Sequence, residues 1–250
     1  MKKYFDPNNY TFNEGSRNGV YIIHGFTNST YEVKELALYL SKKGFYTVAN
    51  NLPGHGTTIE DCNRCKYTDW LESVEQGVAE VASRCDNVYI IGISMGSVLA
   101  LQAASIFPVK AAIFASTVLD FKEHIGVNYL IPLVYRFYPY RPKKKSFTKK
   151  NLEFFGYDYW PTAALNEMRK MANNTRKILH EVTCPALVIH SRADLLSPQS
   201  NISLVYDNIN SNYKEKFIVE KSGHNLFAEG PNQDIIFQKV SEFLLKFPEK

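Results

Sequence analysis

The chain has 250 residues, 45% hydrophobic and 14% aromatic, with a formal net charge of +4. That content suffices for one substantial core in one domain, and the charge is too mild for a dedicated nucleic-acid binder. No apolar run approaches the roughly 18 residues of a membrane helix, and Met1-Lys2-Lys3-Tyr4-Phe5-Asp6-Pro7 lacks the apolar stretch of a signal peptide; a cytoplasmic protein without stable membrane insertion is expected.

In chain order, Asp6-Pro7-Asn8-Asn9 and Asn13-Glu14-Gly15 mark turns between extended segments, the material of a sheet edge. Gly19-Val20-Tyr21-Ile22-Ile23 predicts a buried strand that runs into His24-Gly25-Phe26. From Tyr31 to Lys43, Val33, Leu36, Ala37 and Leu40 share a helical face, and Gly44 stops the helix. Phe45–Ala49 is a second strand, ending in Pro53-Gly54-His55-Gly56. A helix over 68–84 then leads to the strand Val88–Ile91 and the helix that follows Ser97. Later come strands at 110–115, 186–190 and 216–219 and a polar helix near 200–209. A closing helix buries Ile235, Ile236, Val240, Phe243, Leu244 and Phe247. This alternation predicts an α/β fold with a mostly parallel sheet and helices on both faces, its site at the carboxyl ends of the strands. The loops 24–28, 92–97, 191–198 and 222–227 all fall at such ends.

Residues 119–182 break the rhythm. They carry prolines, many aromatics (Tyr129, Phe137, Tyr157 and Trp160 among them) and the basic run Arg141-Pro142-Lys143-Lys144-Lys145. A helix with Leu165, Met168, Met171, Ile178 and Leu179 on one face closes the segment. We take 119–182 as a cap inserted into a core of 1–118 and 183–250. Its aromatics build both the cap's own small core and an apolar pocket, and its lysines form a solvated surface. Cys62-Asn63-Arg64-Cys65 has no second pair at metal-finger spacing. Even with His55 upstream, the four cysteines are expected to be reduced thiols, with no metal and no cofactor.

The chemistry centres on Gly92-Ile93-Ser94-Met95-Gly96. A strand that becomes a helix within three residues crowds its middle residue, and glycines two positions either side relieve the crowding. Ser94 is thereby raised beside a helix N-terminus that favours developing negative charge. A serine hydroxyl needs a base, and the base needs an acid to fix its tautomer. Of six histidines, His224 in Ser222-Gly223-His224 lies between the last strand and the last helix and can swing over Ser94. His24 and His55 belong to turns, His190 to a strand as a satisfied core histidine, and His124 and His180 to the cap. Asp194, just past a strand and ahead of Ser197-Pro198 (the expected N-cap and first residue of a helix), is the candidate acid; Asp120 is its competitor. The amides of Met95 and Phe26 are the expected oxyanion hole, and Gly25 lets the second one approach.

These stretches, with His24-Gly25-Phe26-Thr27 and Pro53-Gly54-His55-Gly56, resemble an α/β-hydrolase of the small bacterial carboxylesterase and monoacylglycerol lipase type over nearly the whole chain. The resemblance implies a serine hydrolase that cleaves short- to medium-chain carboxylic esters or monoacylglycerols through an acyl-enzyme, with no cofactor. It carries Ser94, Asp194 and His224 over as the triad and Phe26 and Met95 as the oxyanion hole. Ser97 departs from the second glycine often found after the elbow. The same scaffold serves thioesterases, amidases and acyltransferases, and a hydrolase-like binding protein is the non-enzymatic alternative.

Overall fold

The computed structural model describes residues 6–143, 156–227 and 230–247. Seven strands form the central sheet in the order β1-β3-β2-β4-β5-β8-β9: β1 Tyr10–Phe12, β2 Asn18–Ile23, β3 Tyr46–Ala49, β4 Asn87–Ile93, β5 Ala111–Ala115, β8 Ala186–Ser191 and β9 Lys214–Val219. Only β1 runs antiparallel to its neighbour, pairing Tyr10 with Ala49 at the edge. The inner strands read as unbroken apolar runs because both faces are covered. On one face Val20, Ile22, Ile91 and Ile93 pack under α1 (Tyr31–Lys42) and α8 (Gln233–Leu245). Their neighbours Tyr21, Ile23 and Ile90 point to the other face, under α3 (Tyr67–Arg84), α4 (Met95–Ile106), α6 (Thr162–Ile178) and α7 (Ser200–Asn208). The fold is the α/β-hydrolase fold.

Several expectations shift on contact with the structure. A short helix, α2 (Ile59–Arg64), occupies the Cys-x-x-Cys stretch, capped by Thr58 Oγ1 accepting from Asp61 N–H at 3.1 Å. In the closing helix Ile235 is exposed, because it lies off the face formed by Ile236, Val240, Phe243 and Leu244, and Phe247 lies past the helix end. Helix α7 starts at Ser200, so Ser197 does not cap it; Ser197 Oγ instead donates to Thr117 O at 2.6 Å.

Between β5 and β8 the chain makes a π-helical turn over Gly126–Leu130, a short α5 (Ile131–Val134), and a two-stranded ribbon of β6 (Tyr140–Pro142) and β7 (Tyr159–Pro161) before α6. Tyr129, Phe137 and Tyr138 face outward here, so they line neither a pocket nor a core, whereas Tyr157 is buried. Phe147, Phe154, Phe155, Lys144 and Lys145 lie outside the described residues, as does the start through Phe5. Lys143 contradicts the expectation of a solvated run: it is only 7% exposed.

Candidate active site

The elbow is set by backbone crowding. A Cβ on Gly92 would lie 2.1 Å from Gly96 O, and one on Gly96 would lie 2.3 Å from Ile23 O and 2.5 Å from His24 O. No side chain can yield at those contacts, so only glycine fits. Ser94 between them has φ +57°, a left-handed value that a β-carbon resists and the surrounding structure must enforce. The backbone supplies that enforcement: Ser94 N–H donates to Ala115 O at 2.9 Å, and Ser94 O accepts from Ser97 N–H at 3.1 Å. Helix α4 then runs buried from Met95 to Ala104. Ser97, in place of a glycine, is accommodated by a 2.6 Å hydrogen bond between its hydroxyl and that of Thr117.

Three side chains from three loops meet at this point. His224 Nε2 lies 2.8 Å from Ser94 Oγ, and His224 Nδ1 lies 2.7 Å from Asp194 Oδ2. With the carboxylate accepting from Nδ1–H, Nε2 is left bare to take a proton from the hydroxyl. Asp194 is buried, yet its other oxygen accepts from Leu196 N–H at 2.8 Å and Ser197 N–H at 2.9 Å. Burial pushes its acidity down, but His224 and these donors outweigh that and hold the carboxyl below its ordinary pKa. For His224, burial opposes the charge, while the field and hydrogen bond of Asp194 win and raise its pKa above the usual 6.5. The competitor Asp120 is paired with Arg176 instead.

The turn at 24–28 presses against Ser94. A Cβ on Gly25 would stand 3.1 Å from Ser94 Cβ, so the turn passes as close as its backbone allows. Glu32, buried at the start of α1, accepts from Gly25 N–H at 2.6 Å and from Asn28 Nδ2 at 2.5 Å. Burial pushes its carboxyl up to about 7. Phe26 is buried and stacks flat on Trp160, with centroids 6.0 Å apart and planes at 7°. Met95 is wholly buried.

Of the remaining histidines, His24 follows β2 and His55 lies in the turn after β3, as their sequence context predicts. His24 accepts from Leu52 N–H at 3.1 Å, and burial lowers its pKa to about 4; His55, beneath Phe26 and Trp70, is lowered to about 3. Both stay neutral and act as shape. His190 is buried, and its Nε2, 3.7 Å from Asp194 Oδ2 and beyond hydrogen-bond reach of it, has no hydrogen-bond partner among the described residues. Sequence reasoning missed Glu32 and the burial of Lys143, because a residue on a helix and one in a basic run carry no local mark of the turn they touch. Among the described residues no cluster of three or more His, Cys, Asp or Glu could hold a metal ion, and no helix is long and apolar enough to cross a membrane.

Comparisons with known proteins bear on the family and the class of enzyme. The chain is 28% identical over 237 residues to a thermostable monoacylglycerol lipase of Bacillus sp. (strain H-257), covering 91% of this chain and 90% of that protein. A carboxylesterase of Bacillus subtilis (strain 168) is 23% identical over 246 residues, covering 98% of each. Among solved structures, one from a study of the metagenome-derived lipolytic enzymes LipS and LipT superposes with a TM-score of 0.88 at 25% identity, covering 98% of this chain and 100% of that one. The model of the family described as "Serine aminopeptidase, S33" matches residues 15–231, and the chain belongs to that family of α/β-hydrolases.

Proposed function

We propose that Ser94, His224 and Asp194 form a catalytic triad that cleaves carboxylic esters of short to medium acyl chains, or monoacylglycerols, through an acyl-enzyme. The chain is an ester-hydrolysing enzyme, and the proposal concerns how it works and on what. The observation that carries it is the unbroken chain of two hydrogen bonds, 2.8 and 2.7 Å, from Ser94 Oγ through His224 to Asp194. In this reading Ser94 Oγ attacks the carbonyl carbon as its proton passes to His224 Nε2. The developing oxyanion is met by the amides of Met95 and Phe26, and the imidazolium, steadied by Asp194, returns the proton to the departing alkoxide. Water repeats the sequence on the acyl-enzyme and frees the acid.

The ester substrate sits, in this proposal, between a core of 1–118 and 183–250 and a cap of 119–182, whose Trp160 stacks on Phe26. Four unpaired cysteines support a cytoplasmic site of action. The family's description favours a second reading, hydrolysis of an amide at a peptide N-terminus. Such a substrate needs a carboxylate to receive its ammonium. Both oxygens of Glu32 are taken by the turn at 24–28, and Asp194 is committed to His224, so the ester reading stands ahead.

The test is a fluorophosphonate probe with a panel of p-nitrophenyl esters of graded chain length, run beside an acyl-CoA and an aminoacyl p-nitroanilide. The probe should label Ser94 alone, and Ser94→Ala should keep its fold while kcat falls by on the order of 10⁴-fold or more. Labelling of the alanine variant at another serine would overturn the assignment. Faster turnover of the thioester or anilide would move the substrate class.

A further inference from the structure

We propose that Lys143 and residues 156–160 latch the turn carrying Phe26, and that Lys143 is a positioning residue for the oxyanion hole. The inference rests on the oxyanion role given to Phe26 above. It begins with Thr27. Asn28 N–H donates to Gly25 O at 3.2 Å, closing a turn in which Thr27 holds φ +64°. That turn position calls for a positive φ and is ordinarily glycine; a β-branched residue there is strained and persists only if its surroundings hold it. Relaxing Thr27 to negative φ requires the Phe26–Thr27 peptide to turn over, which shifts Phe26 against Ser94.

The holding contacts come from two sides. From inside, Glu32 grips Gly25 N–H and the Asn28 side chain. From the other side, Lys143, Gly156 and Tyr157 bear on Thr27. Lys143 Nζ donates to Thr27 Oγ1 at 2.7 Å, and Tyr157 N–H donates to Thr27 O at 3.1 Å. Gly156 passes so close that a Cβ there would lie 2.1 Å from Thr27 O. The same ammonium stands 4.3 Å from the centroid of Trp160, whose ring lies on Phe26. One cation therefore joins the strained residue to the ring that covers the oxyanion donor.

A buried ammonium is expensive unless it is matched. Burial pushes the Lys143 pKa well down, and the carboxylates of Asp158 and Glu32 counter it. A lysine needed only for solubility would stay in water, and a methionine would fill the space at lower cost. What the ammonium adds is a directed hydrogen bond to Thr27 and a charge over the Trp160 face.

The decisive set is Lys143→Met, Thr27→Val and the double variant, assayed on a soluble p-nitrophenyl ester. Three quantities are read: kcat, KM and inhibition by an alkyl trifluoromethyl ketone, which adds to a serine hydroxyl as a tetrahedral oxyanion. Each single change should lower kcat by about 10- to 100-fold, with KM held within about twofold, because a small misplacement of an oxyanion donor acts on the transition state. The ketone should weaken by the same factor as kcat/KM, and the double variant should be no worse than the poorer single one. A kcat within about twofold of wild type, a lower kcat with unchanged ketone affinity, or losses that multiply in the double variant would each overturn the latch. If Lys143→Met does not fold, Thr27→Val decides alone on the same readings, since it removes the acceptor and keeps the lysine. Ser94→Ala in the same series separates the two levels of inference. Turnover surviving that change would sink the triad itself, whereas a dead Ser94→Ala beside an unaffected Lys143→Met sinks only the latch.

Discussion

The stretch from Asn87 to Ile106 and the stretch from Leu119 to Val182 are built on opposite terms. In the first, every side chain from Met95 to Ala104 is buried, and the turn at Ser94 is shaped by backbone collisions among residues near in sequence or in neighbouring strands. In the second, among the described residues, Ile125, Leu133 and Phe137 are 71%, 72% and 79% exposed, α6 buries Leu165, Met168 and Met171 against the core, and polar contacts add ties to residues distant in sequence. Lys143 reaches Thr27, Arg176 reaches Asp120, and Asn63 reaches the start of α6. The lesson is that the turn at Ser94 is over-determined, while the described part of 119–182 adds to its apolar packing ties that each depend on a single polar side chain. Substitutions in the two should therefore fail differently.

The largest expected effect tests whether the acid comes from the second stretch, as Asp120, or from outside both, as Asp194. Asp194→Asn leaves the wrong tautomer on His224 and removes the charge behind its imidazolium, so kcat should fall by roughly 10³- to 10⁴-fold with little change in KM. Asp120→Asn should stay within a few-fold of wild type, because its partner is Arg176. Both are measured on one soluble ester after circular dichroism shows each folded. Collapse of the Asp120 variant with a normal Asp194 variant would reverse the assignment.

Next comes Gly96→Ala, which should break the over-determined stretch outright. The new methyl meets Ile23 O at 2.3 Å and His24 O at 2.5 Å, both backbone atoms in β2 or at its end. Stability should drop by about 3 kcal/mol, the upper end for overpacking, as read from urea unfolding. Phe137→Ala, at an exposed site, should change it by less than about 0.5 kcal/mol. Equal losses would mean that the two stretches are not built differently after all.

The pH profile is gentler. His224 must be neutral to act, and its pKa lies above the ordinary value because Asp194 outweighs burial. Activity should therefore fall as pH drops through a midpoint somewhat above about 6.5, by about tenfold per unit below it. Glu32, pushed up to about 7, titrates in the same window. The profile is repeated on Glu32→Gln; an acid limb that persists belongs to His224, and one that vanishes belongs to Glu32.

These contrasts also explain what the sequence made legible. Gly-x-Ser-x-Gly after an apolar strand, His224 after the last strand and Asp194 after β8 are local patterns, since each loop's position at a strand end follows from the alternation of strands and helices. The helix α2, the ribbon of β6 and β7, and the burial of Lys143 left no such trace. A lysine in a basic run is solvated unless a particular acceptor waits for it, and Thr27 lies 116 residues away. Ile235 shows the same limit at smaller scale: an apolar residue beside a helical stripe is not thereby part of it.

A smaller effect on stability bears on how the second stretch is joined to α2. Helix α6 starts after Pro161, whose side chain has no acceptor, so its first amides must be satisfied from elsewhere. Asn63, in α2, does this: its Oδ1 accepts from Ala163 N–H at 2.8 Å and Ala164 N–H at 3.2 Å, and its Nδ2 donates to Pro139 O at 3.0 Å. Asn63→Ala removes a cap supplied across 100 residues of chain and should cost about 1 kcal/mol, a fall of about 2–4 °C in Tm for a chain of this size. Asn63→Asp keeps the acceptor and places a negative charge at the helix N-terminus but loses the donor to Pro139, so it should recover part of that loss. Hydrogen exchange locates the effect: the amides of Ala163 and Ala164 should exchange faster in Asn63→Ala, while those of β4 stay protected. If both variants melt with wild type and exchange is unchanged, α6 is held by Leu165, Met168 and Met171 against the core, and the segment is more self-sufficient than its exposed residues suggest.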